Sequence, residues 1–149
     1  MWKAWLVAAT LVLSGCGGQK LIVKGYQGAE LPKEQVGWVK PVAGLHVHSI
    51  DGDKAIRVIT IHSVGYYDAE IALPAGPHRL EVAYAEGSAR SRESMFVDVV
   101  VRPQGKYLLR AVFSRPESTG FFLPPATVRV EVQDMTDEPE KWCANRPRC

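Results

Sequence analysis

Leu73-Pro74-Ala75-Gly76-Pro77-His78-Arg79-Leu80-Glu81-Val82-Ala83-Tyr84 is the stretch that decides the fold class of this chain. Its first half is turn chemistry. Pro74-Ala75-Gly76 suits a type II turn, with Gly76 where a positive φ excludes most side chains. Its second half alternates. Leu80, Val82 and Tyr84 fall on one face, Arg79 and Glu81 on the other, the period-two pattern of a strand with one buried and one wet face. Thr127 to Gln133 repeats the pattern, with Val128, Val130 and Val132 opposite Arg129, Glu131 and Gln133.

Working outward, short β-type runs recur between turn residues. Gln35 to Lys40 carries Val36, Trp38 and Val39. Leu45 to Ile50 runs into Asp51-Gly52-Asp53, a hairpin signal because Asp-Gly tolerates positive φ. Ile56 to Ser63 is rich in β-branched residues. Asp68 to Leu73 enters the decisive turn, Ser94 to Val101 stops at Arg102-Pro103-Gln104-Gly105, and Lys106 to Phe113 follows. No window carries an apolar i, i+3, i+4, i+7 stripe long enough for a helix. The pattern predicts an all-β chain: a single β-sandwich of about seven to eight mostly antiparallel strands. Glu86 to Glu93 has no apolar face and reads as an exposed loop, as does the longer Arg115 to Pro125.

Composition agrees. The chain has 149 residues, 46% hydrophobic and 23% charged, which suits one globular domain of ordinary size and argues against a disordered, collagen-like or multi-span membrane protein. Its 18 basic and 16 acidic side chains leave a formal charge of +2, too balanced for a nucleic-acid footprint.

The N-terminus reads as an address. After Lys3, residues 4–13 (AWLVAATLVL) are uncharged and mostly apolar. A membrane-spanning helix needs about 20 such residues, whereas this run has the length of a secretory-signal core. It ends in Leu13-Ser14-Gly15-Cys16, which resembles the lipobox of bacterial lipoproteins. The resemblance implies that the Cys16 thiol receives diacylglycerol, that the chain is cut before it and that the new amino terminus is acylated. Gly17 stands where an Asp tends to retain lipoproteins at the inner membrane, which implies the periplasmic side of the outer membrane. The expected layout is a signal peptide at 1–15, a lipidated Cys and flexible tether at 16–35, a sandwich at 36–134 and a tail at 135–149. Gly17, Gly18, Gly25, Gly28 and Pro32 motivate the tether. In an oxidising compartment the remaining cysteines, Cys143 and Cys149, form an even pair around a polar stretch containing Pro147. Their C-x5-C spacing, with no His nearby, predicts a structural disulfide contributing roughly 2 kcal/mol by closing a short loop.

A second resemblance rests on Tyr26-x-Gly28, Leu31-Pro32, Ser49-Ile50-Asp51-Gly52, Leu73-Pro74-Ala75-Gly76-Pro77-His78-x-Leu80-x-Val82 and Gly105-Lys106-Tyr107. Together they resemble a group of small proteobacterial lipoproteins of unknown function. The Ile-Asp-Gly and Leu-Pro-x-Gly turns are also similar to PEGA-type surface modules. This implies a small β-sandwich and a location, with no activity attached.

Candidate chemistry is sparse. His46 and His48, two apart on a strand, share a face, and His62 is placed to pair with them across a hairpin, so three imidazoles offer a Zn²⁺ or Cu²⁺ site. They read more simply as half-exposed strand residues, and no cofactor is expected. Ser49, Ser63 and Ser114 lie in no nucleophile motif, which leaves an envelope hydrolase as the weakest alternative. Phe121, Phe122 and Leu123, with Tyr66 and Tyr67, are the candidate contact surface, since exposed aromatics in polar loops suit protein or glycan binding. The expectation is an outer-membrane lipoprotein, non-catalytic, serving as a binding or structural module for an envelope protein or glycan. A periplasmic metal-binding protein using the strand histidines is the alternative.

Overall fold

In a computed structural model of the chain, residues 20–42, 44–58, 68–114 and 126–142 are described. Among them are nine strands: β1 (Lys20–Lys24), β2 (Val36–Pro41), β3 (Leu45–Ile50), β4 (Asp68–Pro74), β5 (Gly76–Glu86), β6 (Ala89–Arg90), β7 (Met95–Val101), β8 (Lys106–Ser114) and β9 (Thr127–Asp134). The helical content of the described residues is one 3-10 turn, Lys33–Gln35, and one helix, α1 (Pro139–Trp142). The fold is all-β, as the alternation predicts.

The strands form two sheets. Sheet A runs β1-β4-β2-β8-β9. In sheet B, β5 is central, with β3 along one edge and β6 then β7 along the other. The sheets share one core. Sheet A contributes Val39, Ile71, Leu73, Tyr107 and Leu109, and sheet B contributes Leu45, Val47, Ile50, Leu80, Val82, Val97, Val99 and Val101. Each such side chain contributes about 1.5–3 kcal/mol on burial. On β5, Leu80, Val82 and Tyr84 are buried and Arg79 is exposed, so the decisive stretch reads as its alternation requires.

The two turns differ in kind. Asp51 and Gly52 take φ of 51° and 82°, the type I′ signs, and Ile50 and Asp53 exchange backbone hydrogen bonds of 3.2 and 2.8 Å. The chain then returns far enough for Val58 to bridge Val47. Residues 59–63 of the predicted Ile56–Ser63 strand lie outside the described residues. Pro74-Ala75-Gly76 closes no hairpin. Pro74 ends β4 in sheet A and Gly76 starts β5 in sheet B, so the chain changes sheets through Ala75 alone. Gly76 has φ of 140°, wider than the type II value of about 80°, and still in the region that favours glycine.

The domain extends beyond 36–134 at both ends. Within the predicted tether, Lys20–Lys24 forms β1 and pairs in parallel with β4, Val23 opposite Ile71. At the other end, Met135 donates its N–H to the Lys106 carbonyl at 2.7 Å, and Met135 and Trp142 are buried. Glycines on either side of β1 suggested a free linker. They missed a five-residue strand that is stabilised only by contact with a distant segment.

Candidate functional site

The outer face of sheet B carries the candidate site, and a bulge creates it. Along β3, Val47 pairs with Val82, but Ser49 pairs with Glu81, so the register shifts by one residue at His48. A bulge of this kind reverses which face the following residues take. Ile50 thereby returns to the core beside Leu80, and Ser49 meets Glu81 instead of the interior. The Ser49 hydroxyl donates to Glu81 Oε2 at 2.9 Å and is 3% exposed. The parity break was visible in Leu45-His46-Val47-His48-Ser49-Ile50, where Ile50 is out of phase with Leu45 and Val47.

Around this pair lies an open concavity of about 370 Å³. Asp51 and Gly52 of the type I′ turn, with Lys54, form one wall. Arg79 and Phe96 form another. Phe96 sits outward on β7, directly opposite Glu81, and is 63% exposed. The Arg79 guanidinium lies 5.1 Å from its ring centroid, a cation–π distance, and also faces Asp98 at 3.6 Å. The concavity is thus a shallow groove with an aromatic side, two cations and two fixed carboxylates, Asp51 and Glu81.

The hydrogen bond from Ser49 lowers the Glu81 carboxyl below its ordinary value, helped by one from Ser94 and by the charges of Lys54 and His48, with burial opposing. The Glu81 carboxylate is thereby favoured in its charged form and presents a hydrogen-bond acceptor next to an exposed ring.

The floor of the turn is pinned by His78. Its Nδ1 lies 2.7 Å from Asp51 Oδ2 and its Nε2 lies 2.9 Å from the Pro74 carbonyl. The imidazole thus bridges the Asp51 carboxylate and the Pro74 carbonyl. Asp51 Oδ1 accepts the Arg79 N–H at 2.7 Å, and the Asp51 N–H returns a bond to the Arg79 carbonyl at 2.8 Å. Burial pushes the Asp51 carboxyl up, but the bonds from Arg79 and His78, with the His78 charge, outweigh it and the net direction is down. His78 thus ties the end of β4 in sheet A to the β3 turn of sheet B.

The predicted site residues divide. His46 donates Nε2–H toward the Ala85 carbonyl at 3.3 Å, and His48 stands at the bulge near Glu81. His62 lies outside the described residues. Among the described residues no group of three His, Cys, Asp or Glu is arranged to hold a metal ion. Cys16, Cys143 and Cys149, and the contact set Phe121, Phe122, Leu123, Tyr66 and Tyr67, also lie outside them.

A second groove of about 560 Å³ runs between the β5–β6 hairpin and the ends of β8 and β9. Tyr84 and Phe113 meet edge-on there at 4.9 Å. The Tyr84 hydroxyl donates to Glu86 Oε2 at 2.6 Å, which with burial pushes its pKa up to about 12. That hydroxyl is committed within the fold.

Comparison with protein-family models, with curated proteins and with solved structures finds no match to this chain.

Proposed function

We propose that this chain is a bacterial lipoprotein, anchored through Cys16 on the periplasmic side of the outer membrane, whose sandwich is a non-catalytic binding module for an envelope protein or glycan. The anchor is supported by the Leu13-Ser14-Gly15-Cys16 motif after an apolar run too short to span a bilayer. No described helix is long and apolar enough to cross a membrane. A disulfide between Cys143 and Cys149 belongs to the same reading.

One observation carries the binding role: Phe96 stands 63% exposed beside a Ser49–Glu81 pair that the bulge has fixed in place. A ring in water beside pre-positioned polar groups is the composition of a recognition surface. Tethering raises the effective concentration of such a surface near its partner, so modest affinity suffices.

The test is photocrosslinking in cells from a probe at position 96, compared with a probe at the exposed Arg129. A discrete adduct from position 96 that weakens in Glu81→Gln supports the reading. Equal or absent adducts from the two positions overturn it. Independently, the mass of the membrane-extracted chain must show acylation at Cys16, and Cys16→Ser must release it from vesicles.

A further inference from the structure

Three residues, Gly17, Gly18 and Gln19, separate Cys16 from the first residue of β1. A fully extended chain spans about 3.3–3.6 Å per residue, so Cys16 and Lys20 lie no more than about 14 Å apart. A linker free as far as Gln35 would have allowed the sandwich to swing roughly 65 Å from its anchor. With β1 paired into sheet A, it cannot. This inference rests on the lipid-anchor reading: if Cys16 carries lipid, the β1 edge of the domain is held at the leaflet surface.

The chemistry of that edge suits the position. Leu21 is 47% exposed and Ile22 56%, and Ile22 lies on the face opposite Val23, which packs on the core. Lys24 is exposed, lies 5.2 Å from the Tyr26 ring and donates to the Gly28 carbonyl. Among the described residues β1 has a single partner strand, β4, and no described strand pairs with the backbone groups of its other edge. An apolar edge strand of this kind is an aggregation hazard in free solution. Against a leaflet it is an asset, because aliphatic side chains and a neighbouring lysine are what the headgroup boundary accepts. The backbone groups of that edge set the depth. They cannot enter hydrocarbon without losing their hydrogen bonds, so the edge belongs at the level of phosphate and water.

We infer that the free edge of β1, with Leu21 and Ile22 flanked by Lys24, is a docking surface for the anionic phospholipid headgroups of the leaflet that holds the anchor. Sheet B and its concavity are then free to face away from that leaflet.

The experiment uses the full acylated chain in vesicles of phosphatidylethanolamine and brominated phosphatidylglycerol. Tryptophan emission is compared between Ile22→Trp and Phe96→Trp, each as a difference from the parent, whose Trp38 and Trp142 give a common background. The emission added at position 22 should fall at least ~2-fold with brominated lipid, while that added at position 96 stays unchanged. Equal quenching at both positions, or none at position 22, overturns the inference. A concentration-dependent shift at position 22 without quenching also overturns it, in favour of edge pairing with a second copy. Replacing phosphatidylglycerol with brominated phosphatidylcholine should weaken the quenching; an unchanged signal overturns the anionic preference. An unacylated Cys16, read by mass, removes the anchor itself and is distinguished from failure at an acylated chain.

Discussion

The hairpin end of sheet B and the β1–β4–β2 end of sheet A share one core but are specified in different ways. In sheet B, the Asp51-Gly52 turn folds β3 back onto Val58, and β5 pairs with the nearby β7. In sheet A, Val23 pairs in parallel with Ile71, and Trp38 in parallel with Lys106. Local pairs are set by turn chemistry at small loop-closure cost. Distant parallel pairs have no turn to define them, and only burial of their inner faces offsets the entropy of bringing them together. The sequence around a hairpin therefore announces it, while a strand such as β1 looks like linker until its partner is present.

The largest test of this contrast is core truncation. Leu109→Ala in sheet A and Leu80→Ala in sheet B should each cost about 2–5 kcal/mol in urea unfolding, in a single shared transition. Two separate transitions would show that the sheets do not depend on one core. Next in size is a glycine pair. A Cβ at Gly37 would stand 2.6 Å from Val101 Cγ1, 2.8 Å from the Arg102 carbonyl and 2.9 Å from the Gly105 carbonyl. Two of those atoms are backbone, so Gly37→Ala should cost about 3 kcal/mol, the upper end of overpacking. Gly52 has open space around it, and Gly52→Ala should cost only the left-handed penalty of about 1–2 kcal/mol.

The corner joining the two regions should matter less than the core and more than the surface. His78→Ala removes the ring that bridges the Pro74 carbonyl and Asp51, at a cost of about 1–3 kcal/mol by thermal unfolding. Acid probes the same corner. The folded Asp51 carboxyl lies below its ordinary 3.8, so its stabilisation is present above that value and is lost as pH falls through the folded value. The melting temperature should drop over that acid window, and Asp51→Asn should flatten the drop. The smallest effect is expected at the concavity. Phe96→Ala should change stability by no more than about 0.5 kcal/mol in urea unfolding, because the ring is already mostly in water.

Much of the fold was legible. The alternation in Arg79–Tyr84 and Thr127–Gln133 identified which residues face the core, and Asp51-Gly52 behaved as its positive φ angles demand. The site was less so. Serine, glutamate and phenylalanine at 49, 81 and 96 are ordinary strand residues, far apart in the chain. Aromatic loops drew attention to 66–67 and 121–123 because clustered rings stand out locally, whereas Phe96 is a lone ring in a valine-rich run whose alternate residues, Val97, Val99 and Val101, are buried.

The sequence by itself determined the strand-rich class and the corners, since each depends on residues within a few positions of one another, and its Leu13-Ser14-Gly15-Cys16 motif is what the proposed anchor rests on. Tertiary structure alone decided that β1 joins sheet A, that the chain changes sheets at Ala75 and that Ser49 turns out to meet Glu81. Those outcomes depend on which distant segment offers a free edge and on where a one-residue register shift best fills the core, and such information is held by no single stretch of chain.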